Sequence, residues 1–237
     1  MPELFLEIGT EEIPSRFMGL ALGYLKEELP SFLKKNRIQA SKPRIMGSPR
    51  RLVISFDEVD RQQEDIIETH FGPNIKLAYD AEGNPTKSAL GFARGKGIDP
   101  SQLTTKKTPK GYVVCAQIEK IGQPTATILS NFFPALISNI PFPKKMRWGN
   151  RESPFVRPLH WIVALFESKP LNFSYEGIPC ADISRGHRFM RSDSFKVSGI
   201  ESYLKSCNKH FLMIDPIERK KSIVDQVTLL ANEVNGI

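Results

Sequence analysis

Cysteine is scarce in this sequence: Cys115, Cys180 and Cys207 are odd in number and lie far apart. No two of them have the spacing of a zinc knuckle, and scattered unpaired thiols make no disulfide framework. A reduced, cytoplasmic protein is therefore expected. The histidines His70, His160, His187 and His210 are equally dispersed, none with another histidine or cysteine at ligand spacing, so no metal site is expected. Long apolar runs are missing as well. The stretch Trp161 to Phe166 falls far short of the roughly 18 apolar residues that a membrane helix needs. A secretion signal would open basic and continue apolar, whereas the first apolar run here carries Glu3 and Glu7. Glu11 and Glu12 form a carboxylate pair, but no partnered nucleophile and no acid and base couple stands out, so no chemical step is legible.

What is present suits a folded core. At 237 residues, 40% hydrophobic and 9% aromatic, the chain has material for one large domain, or for a core with an insertion. Its 33 basic residues against 26 acidic ones leave a net charge of +7. The distribution of that excess says more than its size. Between positions 34 and 51 stand Lys34, Lys35, Arg37, Lys42, Arg44, Arg50 and Arg51 without one acid, a candidate contact for a polyanion.

Periodicity sketches the elements. Leu4 to Ile8 reads as a first strand, and Phe17, Leu20, Ala21, Tyr24 and Leu25 follow Pro14 at helical spacing to about Leu29, where Pro30 should kink or end the helix. Arg51 to Val59 alternates as a second strand. Asn84 and Pro85 read as the cap and first turn of a helix through Ala93, ended by Gly95 and Gly97. A strand is expected over residues 111–120. An apolar helix kinked at Pro134 should follow Pro124, and a hairpin should pair 157–166 with 171–175. Ile200 to Cys207 reads as a short helix, Phe211 to Ile214 as a strand, and Asp215, Pro216 and Glu218 as the start of a last helix. Strands and helices alternate without a strict repeat, which predicts α+β: a mixed sheet packed with helices. The core is expected from about 1–60 and 151–237, with an inserted smaller α/β subdomain at about 61–150.

Three motifs bear on chemistry. Gly91, Gly95, Lys96 and Gly97 imitate a phosphate loop, but the first gap is a residue short and Gly97 stands where Ser or Thr is required, so a helix ending on glycine accounts for them. Lys144, Lys145, Arg147, Trp148 and Arg151, followed by Arg157, interleave cations with an aromatic ring, as RNA binding uses charge for affinity and a ring for stacking. A solvated basic face with Trp148 anchoring the loop is the equal alternative. Arg185, His187 and Arg188 could meet a phosphate or a base, or could form a loop braced by Asp182 and Asp193. His160, between Leu159 and Trp161, reads as a hydrogen-bonded structural histidine.

Several longer strings resemble one family. Leu6 to Pro14 (LEIGTEEIP), Ser48 to Leu52 (SPRRL), Asp80 to Ala93 (DAEGNPTKSALGFA), Pro143 to Gly149 (PKKMRWG), Phe155 to Trp161 (FVRPLHW) and Arg185 to Met190 (RGHRFM) are similar, in order and spacing, to the N-terminal region of the bacterial-type glycyl-tRNA synthetase β subunit. Ile13, Ser48 and Pro30 depart slightly from the family pattern. The resemblance implies a subunit of an α2β2 ligase that joins glycine to its tRNA at the expense of ATP. It implies an α subunit that carries the adenylation site with its ATP and magnesium, and a β subunit that continues into further domains. For this chain it implies tRNA binding and assembly with no catalytic residue, cofactor or metal of its own. The RNA-binding candidates are Arg50, Arg51, Lys144, Lys145, Arg147, Trp148, Arg151, Arg185, His187 and Arg188, with the reservation that adjacent strand residues face opposite ways, so that Arg50 or Arg51 braces the fold. A purely structural scaffold is the rival reading. A complete enzyme is disfavoured, since no phosphate loop, metal ligand set or class II signature is found.

Overall fold

The computed structural model describes residues 1–109, 111–234 and 236. In chain order the elements are β1 (Leu4–Thr10), α1 (Ser15–Lys35), β2 (Arg44–Ser48), β3 (Arg51–Phe56), β4 (Ile66–Asn74), α2 (Ile75–Ala78), α3 (Lys87–Lys96), a 3-10 turn (Pro100–Gln102), β5 (Thr104–Thr108), β6 (Gly111–Lys120) and α4 (Thr125–Ser138). There follow β7 (Leu159–Phe166), β8 (Lys169–Pro170), β9 (Ser174–Tyr175), β10 (Ile178–Ala181), β11 (Ile183–His187), β12 (Arg191–Lys196), α5 (Ile200–Lys209) and α6 (Pro216–Glu233). The architecture is α+β with mixed sheets. The chain divides into one unit of residues 1–63 and 123–237 and a second of residues 64–122.

The first unit is built on a seven-stranded sheet in the order β2-β3-β1-β7-β10-β9, with β8 paired to β7. β1 is the central strand, antiparallel to both β3 and β7, and every one of its residues is buried. Alternation divides its side chains between two layers. Leu4, Leu6 and Ile8 face a cluster made with Phe17, Ala21, Leu25, Leu29 and Leu33 of α1 and Leu129, Phe133 and Leu136 of α4. Phe5, with Val53, Val163 and Leu165 from the neighbouring strands, faces Phe195 of β12, Val197, and Ile200, Tyr203 and Cys207 of α5. A sheet covered on both faces explains why β1 and β7 read as nearly unbroken apolar runs.

Pro30 does not end α1, which runs on to Lys35. Leu29 and Leu33, on either side of the proline, are both in the core, and Phe32 stacks on Phe132 of α4 at 3.5 Å between ring centroids. That packing outweighs the missing backbone hydrogen bond. Phe211 to Ile214 is not a strand: it is an irregular segment in which Ile214 fills the second cluster and Phe211 adopts a left-handed φ of 55°. Leu171 to Tyr175 forms only the short β9, because the hairpin after β7 closes at once on Lys169–Pro170. Its two-residue turn, Glu167 and Ser168, has φ of 54° and 60°. Asp215 caps α6 as its spacing suggests, its Oδ1 accepting from the Ile217 amide at 2.7 Å.

The second unit is a three-stranded antiparallel sheet, β4-β6-β5, with α2 and α3. Its buried cluster is small: Ala78, Ala89 and Val114, with Tyr79, Phe92 and Leu103 against them. α3 begins at Lys87 after Thr86, not at Asn84 and Pro85, because Pro85 is bridged to Tyr79 and held in extended backbone. Gly97 ends α3 with a left-handed φ of 69°, so the glycines of the 91–97 stretch belong to a helix and its C-terminal turn. The unit ends well before residue 150. The apolar face of α4 belongs to the first cluster of the larger sheet, and the larger unit resumes at Gln123.

Candidate functional site

The site lies where the central strand runs out. After β1 the backbone is gripped on both sides: the Thr10 amide donates to the Arg50 carbonyl at 2.9 Å, the Glu11 amide to the Pro158 carbonyl at 3.0 Å, and the Ile13 amide to the Pro49 carbonyl at 2.6 Å. Glu11 therefore emerges between the turn before β3 and the segment that enters β7. Its carboxylate collects basic side chains from three remote stretches: Arg50 Nη2 at 3.4 Å and His160 Nε2 at 3.0 Å from Oε1, and Arg188 Nη1 at 3.1 Å from Oε2. Arg188 also reaches Glu12 at 3.3 Å, and Arg157 Nε donates to the Glu12 carbonyl at 3.1 Å.

This crowding shifts the titrations. Burial, the largest single influence on Glu11, disfavours its charged form, but the combined attraction of Arg50, Arg188 and His160 outweighs it and the pKa is lowered. Burial likewise lowers the pKa of His160, helped by Arg50 and Arg185 and opposed by Glu11. His160 is hydrogen-bonded to Glu11, as a structural histidine would be.

Beneath the cations lies Trp161, only 6% exposed. Its ring has the guanidinium carbons of Arg51, Arg185 and Arg50 at 5.1, 5.3 and 6.0 Å from its centroid. Arg51 points inward. Its Nε stands 3.1 Å from Glu7 Oε1, with side-chain exposures of 3% and 0%, and its Nη2 donates to the carbonyls of Arg185 and Gly186. Of the two adjacent arginines, Arg51 braces the fold and Arg50 stands at the rim of the site. The β11–β12 hairpin is in turn tied down by Asp182 with Lys196 and by Asp193 with Arg191 and His210, so both aspartates do brace it. His187 supports the hairpin tip: its Nδ1 accepts from the amides of Phe189 and Met190, each at 3.2 Å. Phe189 beyond it is 84% exposed.

The Lys144 to Arg151 stretch is clipped along residues 155–159, beside the same strand end. Met146 bridges to Phe155, Trp148 Nε1 donates to the Phe155 carbonyl at 3.0 Å, and Arg151 Nη1 donates to the Leu159 carbonyl at 2.9 Å. Trp148 thus anchors its loop. Lys145 is half-buried, donating to the Ser138 carbonyl at 3.0 Å, and burial lowers its pKa. Arg147 Nε donates to the Glu152 carbonyl, while Lys144, Arg147, Arg185 and Arg188 keep solvent-exposed side chains. Glu11, which gathers the basic segments, reads in the sequence only as half of a carboxylate pair, because the residues it meets are remote along the chain. The signal available in the sequence was its place directly after the apolar run of β1. Among the described residues no group of three or more His, Cys, Asp or Glu is placed to hold a metal ion, and no helix is long and apolar enough to cross a membrane.

The family model of the glycyl-tRNA synthetase beta subunit matches residues 4–237. The chain belongs to the glycyl-tRNA synthetase beta subunit family. Among its curated relatives, the glycine–tRNA ligase beta subunit of Citrifermentans bemidjiense is 44% identical over 234 residues, and that of Syntrophotalea carbinolica is 42% identical over 235. The alignments cover 99% of this chain and 34% of each relative, so the chain corresponds to their N-terminal region and spans about a third of their length. The beta subunit of Geobacter metallireducens, 42% identical over 236 residues, is covered to the same 34%.

Proposed function

We propose that this chain is the tRNA-binding and assembly region of a glycine–tRNA ligase β subunit, acting in the cytoplasm within an α2β2 enzyme. The observation that carries the reading is the gathering of basic side chains from residues 50, 144–151, 157 and 185–188 around one end of the sheet, by way of Glu11, Glu12 and the 155–160 backbone. A rigid sheet end that displays Lys144, Arg147, Arg185 and Arg188 offers phosphate contacts at fixed spacing, and such contacts give affinity without reading sequence. In this reading glycine activation belongs to the α subunit, with its ATP and magnesium. The chain alone should then show no glycine-dependent exchange of pyrophosphate into ATP, and such exchange would overturn that part of the reading.

A specific observation favours the rival reading of a scaffold that touches no RNA. Arg50, Lys145, Arg151 and Arg157 spend hydrogen bonds on this chain's own carbonyls. The experiment that separates the two is titration of the intact β subunit with glycine tRNA over a range of salt, comparing wild type with Lys144→Ala/Arg147→Ala/Arg185→Ala. Each lost phosphate contact should reduce the slope of log affinity against log salt by roughly 0.7 to 0.9. Unchanged affinity and slope, with the fold intact, would install the scaffold reading.

A further inference from the structure

α6 is an 18-residue helix without a single buried residue. It is firmly attached at its start. Asp215 caps it, and Arg219 Nη1 in the first turn donates to the Met213 carbonyl at 2.7 Å and to the Gly47 carbonyl at 3.0 Å. Past Arg219 the helix leaves the surface, yet its sequence is not that of a solvated arm. Ile223, Val227, Leu230 and Val234 recur at alternating spacings of four, three and four, and Ile217, Val224 and Ala231 follow at intervals of seven. Together they form an a, d and e stripe along one side, whose width is that of a helix packed against another helix and not of a surface helix facing water. Val227 and Leu230 are each 59% exposed and Val234 76%.

An isolated helix of this length is marginal in water, and an apolar stripe of this size on a soluble protein marks a contact surface. The length of the relatives supplies the occupant. The matched region is the N-terminal 34% of each curated β subunit, so in these relatives about two thirds of the polypeptide follows the stretch that matches this chain. A segment tethered a short distance beyond α6 has an effective concentration that no separate molecule matches. We infer that the Ile223–Val227–Leu230–Val234 stripe of α6 is one half of an intramolecular helix–helix interface, the other half being an apolar helical face in the part of the β subunit that follows residue 237.

Hydrogen exchange on the intact β subunit, with and without the α subunit, tests this. The amides of 223–233 should be protected in the β subunit alone, independently of protein concentration. Val227→Glu/Leu230→Glu should lower that protection by about tenfold or more, together with that of a second segment beyond residue 237, while β1, β3 and β7 keep theirs. Protection that appears only when the α subunit is added would overturn the inference in favour of a subunit interface. Protection that rises with concentration would overturn it in favour of a second copy of the chain. Fast exchange of 223–233 in every sample would mean that the stripe is uncovered, which also overturns it.

Discussion

Arg51 and Glu7 lie on adjacent strands at the centre of the sheet, Nε to Oε1 at 3.1 Å, and the Tyr203 hydroxyl donates to the same carboxylate oxygen at 2.9 Å. Burial, followed by the nearby Glu7 charge, pushes the Tyr203 pKa well above its ordinary value. The pair sits between the two strands that carry the site and the hairpin that supplies Arg185 and Arg188. Removing one partner leaves the other charge buried without compensation, so Arg51→Met should cost about 3 to 5 kcal/mol in urea unfolding. Glu7→Gln added to Arg51→Met should recover part of that loss. A single-variant cost below about 1 kcal/mol would mean that the pair does not organise the strand end.

Gly9 supplies a second constraint. A Cβ on Gly9 would stand 2.0 Å from Cε2 of Trp161, because the indole ring lies directly over the glycine. Gly9→Ala must displace Trp161 and the arginines around it, at a cost of about 1 to 3 kcal/mol or more. Trp161→Leu should relieve the clash, so the double variant is expected to be less destabilised than the sum of the singles. Strict additivity in a double-mutant cycle would refute the contact.

Acid should weaken this end of the sheet in two stages. The folded pKa of His160 lies below the ordinary 6.5, so its neutral form contributes stability that is present above 6.5 and lost as pH falls below it. The folded pKa of Glu11 lies below 4.5, so its contribution is present above 4.5 and lost as pH falls through the folded value. Melting temperature measured against pH should show both declines. His160→Gln should flatten the upper one and Glu11→Gln the lower, and identical profiles for wild type and both variants would contradict the assignment.

The thiols should be inert while the fold holds. Burial pushes Cys180 up to about 11 and Cys207 up to about 12, and Cys115 is buried. A thiol with a pKa of about 11 is ionised to only about one part in a thousand at pH 8, and the thiolate is the reactive form. A disulfide-exchange reagent at pH 8 should therefore react slowly with the native protein and fully after denaturation. Rapid modification of Cys180 in native protein would show that the β7–β10 edge opens.

Much of the fold follows from local pattern alone. The apolar run of β1, the helical spacing of Phe17, Ala21 and Leu25, the αL glycine at 97 and the Asp215 cap are local signals, because backbone conformation and one buried face suffice to produce them. The family was legible for the same reason: its strings are contiguous. What the chain does not encode locally is which remote residues meet. Pairing of β1 with both β3 and β7 decides that Arg51 turns inward to Glu7, that Gly9 lies under Trp161, and that Glu11 collects Arg50, His160 and Arg188. Two-sided burial of that strand likewise turned a single expected core into two layers, and packing on the sheet carried α1 through Pro30 and brought α4 into the larger unit. Residues beside one another in the chain thereby came to serve opposite ends, one bracing the core and one facing outward. Register across a buried strand is a long-range property, fixed by the matching of two faces at once, and no window along this sequence contains it.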